Sequence, residues 1–119
     1  MAQVAKRKLS GSTDGRSILV VATASAGTTI HTAVASVVAG TWDEVWLWAY
    51  NSDTVARLLT IQFGGTTSPN DDIKVTIPSQ SGRTMVVTGE VLQNASVVRA
   101  YAAAASVMTI GGYVNAITA

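Results

Sequence analysis

From Asp43 to Asn51 the chain alternates between two sets of apolar side chains. Val45, Leu47 and Ala49 share one parity, and Trp46, Trp48 and Tyr50 share the other. Successive side chains on a strand point to opposite faces, so this segment as a strand is apolar on both. One face is explained by the core of a two-layer fold. The other carries too much aromatic surface to stand alone in water, and requires cover from the chain itself or from another protein.

The rest of the chain alternates in the same way. In Asp72–Ile77, residues Ile73, Val75 and Ile77 take the inward parity and Asp72, Lys74 and Thr76 the outward one. The period predicts strands near 18–22, 28–34, 44–50, 56–63, 72–77, 84–88, 96–102 and 107–114, rich in Val, Ile and Thr. Val55, Leu59, Ile61 and Phe63 clash in register with Leu58, which predicts a bulge or a second buried face near Arg57. Residues 100–105 are Ala-rich, but their β-branched flanks favour a strand followed by a turn over a helix. Between these segments stand Ala26-Gly27, Ala39-Gly40, Asn51-Ser52-Asp53, Gly64-Gly65 through Asn70, Ser81-Gly82 and Gln93-Asn94, all with turn chemistry. About eight short strands at such spacing imply a sandwich, a jelly roll or a barrel.

Residues 1–16 break the pattern. They are polar, Gly11, Asp14 and Gly15 interrupt any period, and an arm outside the core is expected, held by a neighbouring chain. Residues 17–119 then form the single domain, and 119 residues suffice for a core without staples. The chain has no cysteine, which excludes disulfides and thiol chemistry. A net charge of +1 with only 13% charged residues excludes a broad basic field for nucleic acid. It also leaves a low-charge surface suited to a subunit of something larger. No apolar run approaches a membrane span, and Lys6-Arg7-Lys8 is followed by polar residues, unlike a signal peptide.

Candidate chemistry is sparse. His31 is the single histidine, set in an alternating segment with no acidic neighbour in sequence, and is expected near the surface with local hydrogen bonds. Asp71-Asp72 supply too few ligands for a calcium site and fit a turn. Asp43 and Glu44 would point to opposite faces and cannot share a substrate atom. Gly64-Gly65-Thr66-Thr67-Ser68 lacks the lysine and the helix of a phosphate loop. No catalytic residue, metal ligand or cofactor site is assigned. The candidate contact residues are Lys6, Arg7, Lys8 and Arg16 on the arm, and Trp46, Trp48 and Tyr50 on the aromatic strand.

A longer pattern joins these pieces. Thr41-Trp42-Asp43-Glu44-Val45-Trp46-Leu47-Trp48-Ala49-Tyr50-Asn51 is followed by residues 59–69, then by Val75-Thr76-Ile77-Pro78 and Ile110-Gly111-Gly112-Tyr113-Val114-Asn115-Ala116-Ile117. Over residues 28–118 this order resembles the head decoration (cement) proteins of tailed bacteriophages. The resemblance implies an all-β, single-domain antiparallel β-sandwich, jelly-roll-like, with the extended N-terminal arm outside it. It further implies a non-enzymatic virion protein, made in the bacterial cytoplasm and seated on the outer capsid surface. There it would bind the major capsid protein and its own copies as a homotrimer, with neither nucleic acid nor membrane as partner. A neck or tail component is an alternative within the same setting. A carbohydrate-binding module using Trp46, Trp48 and Tyr50 is an alternative from a different class.

Overall fold

A computed structural model describes residues 2–119. Nine strands make up the fold: β1 (Gln3–Lys8), β2 (Ile18–Val20), β3 (Thr28–Thr32), β4 (Trp42–Asn51), β5 (Arg57–Phe63), β6 (Asp72–Ile77), β7 (Thr84–Leu92), β8 (Val97–Ala102) and β9 (Met108–Thr118). One sheet runs β1-β9-β4-β7, with β2 also on β9, and the other runs β3-β8-β5-β6. Every pairing is antiparallel.

The ladders are nested. β5 pairs β6, β4 pairs β7, β3 pairs β8, and β1 with β2 pairs β9. A single long hairpin, rolled so that alternate ladders fall in opposite sheets, produces this order, which is that of a jelly roll. The first strand of the roll is interrupted. β1 covers Tyr113 to Thr118 of β9, β2 covers Met108 to Ile110, and residues 9–17 leave the sheet between them.

The core lies between the sheets. Val45, Leu47 and Ala49 of β4 meet Leu59 and Ile61 of β5, Val98 and Ala100 of β8, and Met108, Ile110 and Val114 of β9, all essentially inaccessible to water. Burial alternates without a break along β4, so its expected two-faced character holds over all ten residues. Eight strands lie where the alternation predicts them, and β8 ends at Ala102 in a turn.

Two expectations need correction. The N-terminal segment is not an extended arm: Gln3–Lys8 pairs along its whole length with β9, while every side chain in it stays exposed. Backbone hydrogen bonds, invisible to a hydrophobic pattern, hold it there. No register shift occurs along β5; of the two alternatives the second buried face holds, with Thr60 and Gln62 buried as well as Leu59 and Ile61, while Val55 and Leu58 are exposed. The irregularities lie instead between β4 and β7, at Val45/Trp46 and Leu47/Trp48, and between β3 and β8 at Thr29/His31.

Loops are fixed by buried polar side chains. Asn51 is fully buried, donates from Nδ2 to the carbonyls of Val55 and Ile77, and accepts the Asp53 N–H at Oδ1. Gln62 is likewise buried, accepting the Gly27 N–H and donating to Ser25 Oγ, which pins residues 22–27 over β5 and β8. Gly27 lies so close to β8 that a Cβ would stand 2.5 Å from the Ala100 carbonyl.

Candidate functional site

The outward face of the larger sheet gathers five of the seven aromatic side chains, Trp42, Trp46, Trp48, Tyr50 and Tyr113, all half-buried. Trp46 pairs in register with Tyr113, Trp48 with Gly111, Glu44 with Asn115 and Trp42 with Ile117. Directly opposed residues share a face, so β4 and β9 together present Trp42, Glu44, Trp46, Trp48 and Tyr50 beside Tyr113 and Asn115. The Trp46 and Tyr113 rings stack with centroids 6.3 Å apart and planes 13° apart, and Trp48 tilts at 59° against Tyr113 at 6.4 Å.

Glycines let the rings lie flat. A Cβ at Gly111 would overlap the Trp48 indole nitrogen, and one at Gly89 of β7 would stand 3.0 Å from Cζ2 of Trp46. Each tryptophan therefore covers a glycine on a neighbouring strand, Trp48 toward β9 and Trp46 toward β7. This arrangement substitutes ring contact for the missing side chain. Trp48 Nε1 is buried there without a hydrogen-bond partner.

Cations cap both ends of the cluster. Lys6 Nζ stands 4.2 Å above the Tyr113 ring and the Arg83 guanidinium 5.3 Å from the Trp48 ring, each drawn by the negative π-face. The carboxylate on this face is engaged. Glu44 Oε1 accepts from Trp46 Nε1 at 2.8 Å and from Asn115 Nδ2 at 3.0 Å. These bonds, Asn115 first and Trp46 second, hold its carboxyl below the ordinary value. Exposed Val4, Leu19, Met85 and Val91 surround the cluster on β1, β2 and β7.

The predicted contact residues divide. Lys6, Trp46 and Trp48 come together, with Tyr50 further along the same face opposite Thr109. Lys8 pairs with Tyr113 in register, and its ammonium donates to the Ser12 carbonyl. Arg7 has the opposite parity and lines a cleft between the sheets, while Arg16 sits in the 9–17 excursion beside a smaller hollow. Sequence reasoning missed Tyr113, Arg83, Asn115, Gly89 and Gly111. Alternation through Gly111-Gly112-Tyr113-Val114-Asn115 gives their parity, but only the register places Tyr113 against Trp46.

The cleft, about 650 Å³, lies at the end of the roll and is bordered by Arg7, Lys8, His31, Trp42, Asp43 and Val114 among others. His31 is buried, not near the surface, and Asp43 on β4 is its acidic neighbour across the fold. Nε2 of His31 lies 2.7 Å from Asp43 Oδ2, and Nδ1 accepts the Ser10 N–H at 3.0 Å. The accepting Nδ1 is therefore unprotonated, and Nε2 carries the hydrogen that Asp43 accepts. Both ring nitrogens are thus engaged within the fold. Asp43 and Glu44 do point to opposite faces. Among the described residues no group of three or more His, Asp or Glu side chains converges on a point.

Asp71 accepts the Thr67 N–H and Asp72 the Ser68 hydroxyl, so both acids build the turn that precedes β6. Searches of protein-family models, curated proteins and solved structures found no match to this chain.

Proposed function

We propose that this chain is a bacteriophage virion structural protein, a decoration (cement) subunit that stabilises the head. It binds the outer surface of the major capsid protein through the outward face of its larger sheet, and acts as a homotrimer. The observation that carries this reading is the Trp46–Trp48–Tyr113 face: a broad apolar surface, capped by Lys6 and Arg83, on a rigid two-sheet scaffold. Aromatic residues and arginine are the side chains that most often anchor protein interfaces. Jelly rolls occur among viral shell proteins, which supports the reading by fold analogy only. A contact of about 1,600 Å², repeated around a symmetric ring, gives tight attachment from modest individual contacts.

The direct test mixes the purified protein with expanded heads that lack it and follows co-sedimentation and tryptophan emission. Saturable binding with a blue shift is expected, and Trp46→Ala should weaken it at least about tenfold while the fold survives. Absence of binding to heads would refute the reading. Imaging of decorated particles separates a head position from one on the neck or tail.

A second reading rests on Glu44 and Asn115, which place a carboxylate and an amide beside the Trp46 ring, as sugar-stacking sites require. Under it the face binds a carbohydrate. Glycan-array binding lost in Trp46→Ala, with no binding to heads, would favour that reading.

A further inference from the structure

We propose that His31 is an acid-operated latch on the N-terminal strand: protonating its imidazole breaks its bond to Ser10 and loosens β1 from the sheet. Histidine is the side chain whose ordinary titration falls between about pH 5 and 8, and this chain has one. In the neutral ring Nδ1 holds the Ser10 amide and Nε2 holds Asp43. An added proton has one place to go, Nδ1. There it turns the 3.0 Å contact with the Ser10 N–H from donor–acceptor into donor–donor.

The two partners of the ring respond differently. Asp43 gains, since its hydrogen bond to Nε2 becomes a buried ion pair. Ser10 loses, and it is the movable partner, an exposed residue in the excursion that joins β1 to β2. The other charged groups on this cleft are Arg7 and Lys8 of β1, and both repel an imidazolium. Glu44 lies on the opposite face of β4. The imidazolium therefore stays with β4 and pushes away the segment carrying Ser10, Arg7 and Lys8.

That segment is lightly held. Thr32 N–H donates to Ser10 Oγ and Gly11 N–H to the Ile30 carbonyl, so the excursion is stitched to β3 on both sides of the latch. β1 buries none of its own side chains, and Leu9 is the apolar anchor that follows it. Edge elements with few buried contacts open locally at low free energy. One lost amide bond is enough to shift such an equilibrium.

Backbone amide exchange of the full chain, with the imidazole ¹⁵N signals, at about pH 7.5 and about pH 5.5 tests the latch. As the ring takes up its proton, Ser10 and the bonded amides of Gln3–Lys8 should lose protection by roughly five- to a hundredfold, while β4 and β5 keep theirs. In His31→Gln, whose side-chain oxygen can accept from Ser10 but cannot titrate, β1 should stay protected at both pH values. The proposal is overturned if the ring titrates with β1 unchanged, or if the ring remains neutral at the lower pH. It is overturned equally if β1 loosens as much in the glutamine variant. Should that variant not fold, the two-pH comparison of the natural chain decides alone.

Discussion

Two glycines show how single residues set this surface. Trp48 lies over Gly111, so Gly111→Ala must displace the indole from β9. Because the ring can swing toward solvent, a loss of about 1–3 kcal/mol is expected in chemical denaturation, with red-shifted tryptophan emission. Gly112 offers no such escape. Its φ is +151°, and a Cβ there would overlap the Trp46 carbonyl oxygen, which belongs to the backbone of the adjacent strand. Gly112→Ala should cost roughly 4 kcal/mol or more, seen as loss of the folded state or a much lower denaturation midpoint. Asn51 presents a comparable case in the interior. Replacing it with alanine leaves the Val55 and Ile77 carbonyls without their side-chain donor, and about 2–3 kcal/mol should disappear from the unfolding free energy.

At the level of elements, β1 is the segment where backbone and side chain disagree. Its side chains suggest a solvated arm, and its hydrogen bonds make it the edge of a sheet. Lys6, Arg7 and Lys8 on that edge discourage further strands from adding to it. The division also sets where the chain can be shortened. Removing residues 2–8 should leave a folded protein, by circular dichroism and denaturation, with much weaker binding to heads through loss of Lys6. Removing residues 1–16 is a different experiment, because Leu9 and Ser12 are buried and the Ser10–His31 bond would go with them. If the shorter truncation bound heads like the full chain, β1 would have no part in attachment.

For the molecule as a whole, the acid limb of stability belongs to carboxylates on its surface. Glu44 is held below its ordinary 4.5 by Asn115 and then Trp46, and Asp53 below its ordinary 3.8 by Arg57 and then the Thr54 N–H. A lowered folded-state value means the unfolded chain takes up protons first as pH falls. These contributions are complete above the ordinary values and disappear as pH drops through the lowered ones. Thermal melts should therefore show the carboxylate-linked loss below about pH 4.5, and Glu44→Gln should flatten part of it. Head binding should weaken with added salt, because Lys6 and Arg83 are exposed cations on the proposed contact face.

The alternation of side chains was sufficient to place eight strands, the two faces of β4 and the all-β class, because a period of two is a local property written in consecutive residues. It also separated Asp43 from Glu44 correctly. It could not pair strands, and so it could not bring Tyr113 to Trp46, Gly111 under Trp48 or Asp43 to His31, contacts between residues 12 to 67 positions apart. β1 escaped for a related reason: a strand held by its backbone alone leaves no hydrophobic trace. The sequence by itself determined which side chains of β4 face outward. Only the rolled hairpin decided that those of β4 and β9 would stack into one aromatic surface, and that a solitary histidine would be buried against an acid and the start of the chain.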